Sequence, residues 1–184
     1  MTPAPLPSNE AERCASLHNL NVLDTAAEER FDRITRIACD RFRVPIALVS
    51  LVDSDRQWFK ARRGLETTET SREISFCGHA IMNSDTFVVQ DTFADSRFVD
   101  NPLVADEPGI RFYAGCPLSL SNGQRVGTLC LIDKVPRVFS AQDENALREL
   151  ANFVVDELQR PEGSNATQAP GTSRSLGWRN VRNS

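Results

Sequence analysis

Apolar residues recur at helical spacing in three segments of the chain and crowd into short runs in between. Ala11, Cys14, Ala15, Leu17 and Val22 form a weak face that predicts a first helix, capped by Ser8 or Asn9 and running to about Leu20. Phe31, Ile34, Ala38 and Phe42 predict a second helix that stops before Pro45, with Thr25 and Glu28 spaced as a capping box at its start. A third begins at Ser140, with Asp143 following. Its stripe of Leu147, Leu150, Val154 and Leu158 is widened by Phe153 and Val155, more than packing on one sheet face requires.

The run from Ile46 to Val52 is short and almost unbroken, the pattern of a central strand covered on both faces. Gln57 to Arg62 reads as its antiparallel neighbour and Thr86 to Gln90 as a further strand. Asn122-Gly123 predicts a two-residue type I′ hairpin in which Leu120 faces Arg125, Leu118 faces Gly127 and Cys116 faces Leu129. Alternation then places Cys116, Leu118, Leu120, Leu129 and Leu131 on one face. Val126, Thr128, Cys130 and Ile132 fall on the other, so both faces need cover and Cys116 and Cys130 point apart. Pro117 cannot donate to a ladder, which makes its strand irregular or places it next to an edge. The long connection over residues 91–113, rich in aromatics and turn residues, predicts a lid or binding loop.

Composition narrows the classes. The chain has 184 residues, 40% hydrophobic and 25% charged, which suits one globular domain and excludes collagen, rods and wholesale disorder. With 21 Lys+Arg against 25 Asp+Glu the net charge is −4, no footprint for nucleic acid. No apolar run approaches the roughly 20 residues of a membrane span, and the opening residues lack the basic and apolar regions of an export signal. Five cysteines (Cys14, Cys39, Cys77, Cys116 and Cys130) without paired spacing point to reduced thiols and a cytoplasmic location. Residues 1–8, rich in proline, are expected to be flexible. Residues 161–184 are expected to form a disordered tail whose one large apolar residue is Trp178.

Several segments, taken together and in order, carry a family resemblance: Leu20 to Thr25, Val44 to Asp53, Arg56 to Lys60, Ser75-Phe76-Cys77-Gly78-His79-Ala80-Ile81, Asp95 to Val104, Ile110 to Gly115, and Gly127 to Asp133. The chain resembles the GAF domains of bacterial sensor kinases and diguanylate cyclases. The resemblance implies an α+β fold over residues 9–160: a GAF/PAS-like antiparallel sheet of five or six strands, N- and C-terminal helices on one face, and a ligand cavity under crossover segments on the other. Signatures of the cyclic-nucleotide-binding and bilin-binding GAF domains are missing. The function implied is a cytosolic signalling or regulatory module that senses a small molecule and is not an enzyme. Because only the tail follows Arg160, the signal is expected to pass through a homodimer formed by the terminal helices, or to a separate signalling protein.

The candidate ligand-binding residues are Phe76, Cys77, His79, Asp91, Arg111 and Tyr113. Arg111 can fork a ligand carboxylate or phosphate, or pair with Asp91 or Asp95. Cys77 is either a small buried residue at a helix start or a thiol activated by that helix end. On a helix starting near Phe76, Cys77 and His79 point about 200° apart and do not share a metal, and no cofactor can be assigned. An alternative is a cysteine-dependent reductase of the free methionine sulfoxide type, using Cys77, Cys116 and Cys130, although the surrounding residues do not resemble that family's motifs.

Overall fold

Residues 1–160 are described by a computed structural model in which six antiparallel strands form a single sheet. In chain order the elements are α1 (Glu10–Asn19), α2 (Glu29–Phe42), β1 (Ile46–Val52), β2 (Arg56–Arg63), β3 (Glu69–Ser71) and α3 (Phe76–Ala80). There follow β4 (Phe87–Val89), α4 (Pro102–Ala105), β5 (Phe112–Ser119), β6 (Arg125–Asp133) and α5 (Ala141–Gln159). The strand order is β3-β2-β1-β6-β5-β4. β1 and β6 therefore lie in the middle, and every residue of β1 is buried, as its unbroken apolar run predicts. The expected tail at 161–184 and Trp178 lie outside the described residues.

α1, α2 and α5 cover one face. Leu17, Phe31, Ile34, Ala38, Leu147 and Val154 pack there against Ala47, Val49, Leu51, Leu129 and Leu131 of the central strands. Each Leu, Ile, Val or Phe among them, fully buried, contributes roughly 1.5–3 kcal/mol relative to exposure. The opposite face of the same strands carries Ile46, Leu48, Phe59, Tyr113, Cys130 and Ile132 beneath α3 and the 91–110 connection.

Local chemistry corrects three sequence expectations. At α5 the capping box forms as expected: the Ser140 hydroxyl accepts from the Asp143 amide, and the Asp143 carboxylate accepts from the Ser140 amide at 2.9 Å. At α2 it does not. Glu28 is itself the N-cap, and its carboxylate pairs with Arg30 and Lys60. Thr25 instead donates to the Val22 carbonyl at 2.7 Å and accepts from Lys60 Nζ at 2.6 Å. The hairpin turn spans Ser121, Asn122 and Gly123: Leu120 bonds the Gln124 carbonyl, Gly123 bonds the Leu120 carbonyl, and Gly123 has φ +80°. That is a type I turn followed by a left-handed glycine, not the expected two-residue type I′ loop. Ser119 accordingly faces Arg125, but an irregularity between Pro117 and Ser119 restores the expected register, so Cys116 does face Leu129. Val126, expected with Cys130, joins the helix-side cluster. Cys116 and Cys130 lie on opposite faces, as alternation requires.

The opening residues, expected to be flexible, lie against the sheet's other cover. The Thr2 amide donates to the Arg97 carbonyl at 3.1 Å, and the Ala4 amide to the Glu73 carbonyl at 3.4 Å. Gly78 permits this approach, since a Cβ there would meet Ala4 Cβ at 2.6 Å.

Candidate functional site

α3 owes its position to a buried polar network. Ser75 caps it, accepting from the Gly78 amide at 2.9 Å, and donates to Gln57 Oε1 at 2.7 Å. Gln57, from β2, donates in turn to Thr70 at 2.6 Å. Asn101 ties the second cover to the first: it accepts from the Leu103 amide to cap α4 and donates to the Ile74 carbonyl, both at 2.9 Å. Pro102 occupies the first turn of α4, where its missing N–H is not needed.

Between these covers and the sheet lies a cavity of about 420 Å³. Ile46, Leu48, Phe59, Phe76, Ile110 and Ile132 make its apolar wall, Gln57 and Thr70 offer neutral hydrogen-bonding groups, and Cys77 and Tyr113 also line it. The charged residues of its lining are exposed: Glu66, Glu107 and Lys134, with Lys134 Nζ paired to Glu107 at 3.1 Å. The interior is thus uncharged, and its rim carries one cation against two acids. Such a lining favours a small, largely apolar molecule fixed by a few hydrogen bonds.

Three of the six candidate residues come together here. Phe76 stacks on Phe98 at 4.1 Å and on Tyr113 at 5.1 Å, building the floor under α3. The Tyr113 hydroxyl donates to Cys77 Sγ at 3.3 Å. Gly115 makes room for that phenol, because a Cβ at Gly115 would lie 2.2 Å from the Tyr113 oxygen.

The other three do not border the cavity. Arg111 donates three hydrogen bonds to Asp91, at 2.9 to 3.1 Å, with its guanidinium 3.9 Å over the Phe93 ring. Its charge is already neutralised, so the reading in which Arg111 forks a ligand anion gives way to the local ion pair. Asp91 is spent on the same pair and on the Phe93 amide, which together with Arg111 hold its carboxyl below the usual range. His79 packs edge-on to Phe98 at 5.0 Å, and burial lowers its basicity. Its Nε2 meets the Thr2 carbonyl of the opening segment at 3.2 Å.

Sequence reasoning missed one partner. Cys130 Sγ lies 3.9 Å from Cys77 Sγ, and Thr128, two residues earlier on β6, donates to Cys77 at 3.2 Å. Alternation in the hairpin put Thr128 and Cys130 on this face; what it does not convey is that α3 crosses above them. Cys116 lies across the sheet, so Cys77, Cys116 and Cys130 are not gathered into one thiol centre. No group of three or more metal-ligating side chains occurs among the described residues, and no helix there is long and apolar enough to cross a membrane.

Comparison with known proteins agrees with this architecture. The GAF domain of an Acinetobacter phosphoenolpyruvate-protein phosphotransferase superposes with a TM-score of 0.59 at 16% identity, covering 80% of this chain and 92% of that one. A free methionine-R-sulfoxide reductase of Neisseria meningitidis, solved with its substrate, gives 0.58 at 21% identity, covering 86% and 96%. At such identities the likeness is one of fold. A cyclic di-GMP phosphodiesterase of Pseudomonas aeruginosa is 40% identical over 171 residues, 92% of this chain. The chain spans 29% of the length of that relative. The expectation that the protein is not an enzyme is overturned by this match, because the relative aligned over nearly the whole chain is named as one. The aligned stretch corresponds to under a third of that relative, so a lack of catalytic motifs within it does not bear on activity. The model of the GAF domain matches residues 26–158, and with the sheet, its two covers and the cavity in place, the chain belongs to the GAF family.

Proposed function

We propose that this GAF domain is a regulatory module that binds a small, uncharged and largely apolar molecule in the cavity under α3 and α4. The observation that carries the reading is the cavity itself: about 420 Å³ of space beneath α3 and α4, walled by apolar side chains of the sheet. Interiors pack densely, and apolar walls around a space of this size forgo stabilising contacts unless something occupies it. The phosphodiesterase relationship extends the reading to a role in the turnover of cyclic di-GMP. That dianion does not suit the cavity, whose rim carries Lys134 against Glu66 and Glu107 and whose interior carries no cation, so the sensed molecule and the dinucleotide are different species.

The route outward runs through the strands, which are shared by the cavity and the helices. Ile37 of α2 and Phe153 of α5 remain exposed at 44% and 59%, which supports a homodimer through the terminal helices or the docking of a separate signalling protein. The five cysteines are all free, in keeping with a cytoplasmic setting.

Native mass spectrometry of the full chain tests the cavity, with Ile132→Trp as the filled control and indole as an added probe. A small molecule retained by the wild type, or a thermal shift with indole, that disappears in Ile132→Trp supports the reading. A bare mass and no indole shift in the wild type overturn it. Light scattering that shows a strict monomer at high concentration counts against the dimer.

A further inference from the structure

Cys77 and Cys130 are both buried and both free, with their sulfurs 3.9 Å apart. They come from different elements, α3 and β6, and Cys77 stands in the wall of the cavity. Two hydroxyls, Tyr113 at 3.3 Å and Thr128 at 3.2 Å, donate to the Cys77 sulfur. A neutral thiol is a weak acceptor, whereas a thiolate rewards converging donors. A buried Cys serving only as a small hydrophobe does not need two hydroxyl donors and a second thiol around it.

We propose that Cys77 and Cys130 form a peroxide-responsive dithiol, in which a small hydroperoxide entering the cavity oxidises Cys77 and Cys130 resolves the product to a disulfide. In the first step the Cys77 thiolate attacks the distal peroxide oxygen. The O–O bond breaks, Cys77 becomes a sulfenic acid, and the leaving alkoxide takes a proton and departs as the alcohol, or as water when the oxidant is hydrogen peroxide. In the second step the Cys130 sulfur attacks the sulfenic sulfur. The S–O bond breaks, and the hydroxyl leaves with the Cys130 proton as water. Two thiols lose two electrons in total and one hydroperoxide gains them. A dithiol reductant returns the pair to its starting state by exchange.

The division of labour follows from the surroundings. Burial opposes ionisation of Cys77, but hydrogen bonds from its neighbours, Cys130, Thr128 and Tyr113 among them, outweigh it and hold the thiol below its ordinary value. Cys130 is pushed far up by its hydrogen bond to Cys77 and by burial, so it keeps its proton until it resolves. Elsewhere the thiols are held protonated: burial and Glu10 raise Cys14 to about 11, and burial raises Cys39 and Cys116. Closing the pair to a bond of about 2.05 Å draws the sulfurs together by roughly 2 Å. That motion falls on α3, a helix of five residues, because β6 is fixed between β1 and β5. Oxidation would thereby reshape the cavity wall. The chemistry needs no bound ligand, so it stands independently of the sensing role.

The test uses the full chain, graded hydrogen peroxide, alkylation and non-reducing peptide mapping. The expected result is a Cys77–Cys130 cross-linked peptide, two fewer titratable thiols out of five in denaturant, and full recovery with dithiothreitol. Cys130→Ser should leave a dimedone-reactive sulfenic acid at Cys77 and no cross-link. Thr128→Val, which keeps the β-branched shape, should react roughly tenfold more slowly near the midpoint of the thiol, the loss expected when a charged acceptor gives up one donor. The proposal is overturned if all five thiols survive, if Cys14 is lost first while the pair stays reduced, or if Thr128→Val reacts at the wild-type rate.

Discussion

Leu131 and Ile132 are neighbours on β6 that face opposite ways. Leu131 is sealed among α2, α5 and the central strands, whereas Ile132 borders the cavity beneath the crossover segments. The helix face is a cluster of mainly aliphatic side chains with Phe31, Trp58 and Phe112 set among them. The cavity face mixes stacked aromatics, thiols, hydroxyls and the Gln57 amide around open space. One set of strands thus supports a packed region on one side and a region with open space on the other. The difference places the larger hydrophobic cluster on one side and the cavity on the other, with β1 and β6 common to both.

The same truncation on the two faces separates them most sharply. Leu131→Ala should cost about 3–5 kcal/mol, since its site is filled on all sides. Ile132→Ala should cost roughly 1–2 kcal/mol, because part of its surface already faces a void. Urea denaturation measures both, and equal costs would erase the contrast between the faces.

The seam between the faces makes the next test. Glu10 of α1 ties together Arg13 and Arg72, which are 1% and 4% exposed. Burial raises its carboxyl, but hydrogen bonds from Arg13, Arg72 and Cys14 prevail and hold it far below its ordinary value of 4.5. The folded chain releases a proton there that the unfolded chain retains, so this stabilisation is complete above the ordinary value and drains away as pH falls below it. Glu10→Gln should lower the urea midpoint at pH 7 by leaving buried guanidiniums short of a counter-charge, and should flatten the decline between pH 4.5 and pH 3. An unchanged acid profile in the variant would remove Glu10 from this role.

Gly115→Ala probes the cavity face alone. The added methyl collides with the Tyr113 phenol, which is held among Phe76, Phe87 and Cys77. Overpacking of this kind costs about 1–3 kcal/mol, and the loss of the hydroxyl from Cys77 should raise the midpoint of thiol alkylation against pH. Ser140→Ala is the mildest, removing the cap of α5 for about 1 kcal/mol without touching the cavity. Indole response in Ser140→Ala should match the wild type in thermal-shift measurements.

Much of this two-sided plan is legible in the sequence. The unbroken run of β1 and the alternation across the β5–β6 hairpin announce a sheet covered on both faces, and Ser140 with Asp143 marks the start of α5. The illegible parts depend on residues distant in the chain. At β2 the pairing with β1 shifts between Val49 and Ser50, so Ala61 faces Val49 while Phe59 faces Ser50, and Lys60 is the extra residue. That bulge turns Lys60 inward to Glu28, and a single added residue leaves no trace in an apolar pattern. That Phe76, Cys77 and Tyr113 line the cavity is legible because they sit at element starts beside the crossover. For Arg111 the sequence offers both a ligand anion and a local acid, and it is the folded positions of the two side chains that select Asp91. Cys130 was placed on its correct face but not under α3, since that contact is set by the path of the crossover.

The buried position of Lys60 has a practical consequence. The chain contains two lysines, Lys60 and Lys134. The first has no exposed side-chain surface and the second is 52% exposed beside the cavity mouth. An acylating dye used on the folded protein would therefore have one ε-amine to find, and it would place a fluorophore at the doorway through which any guest must pass.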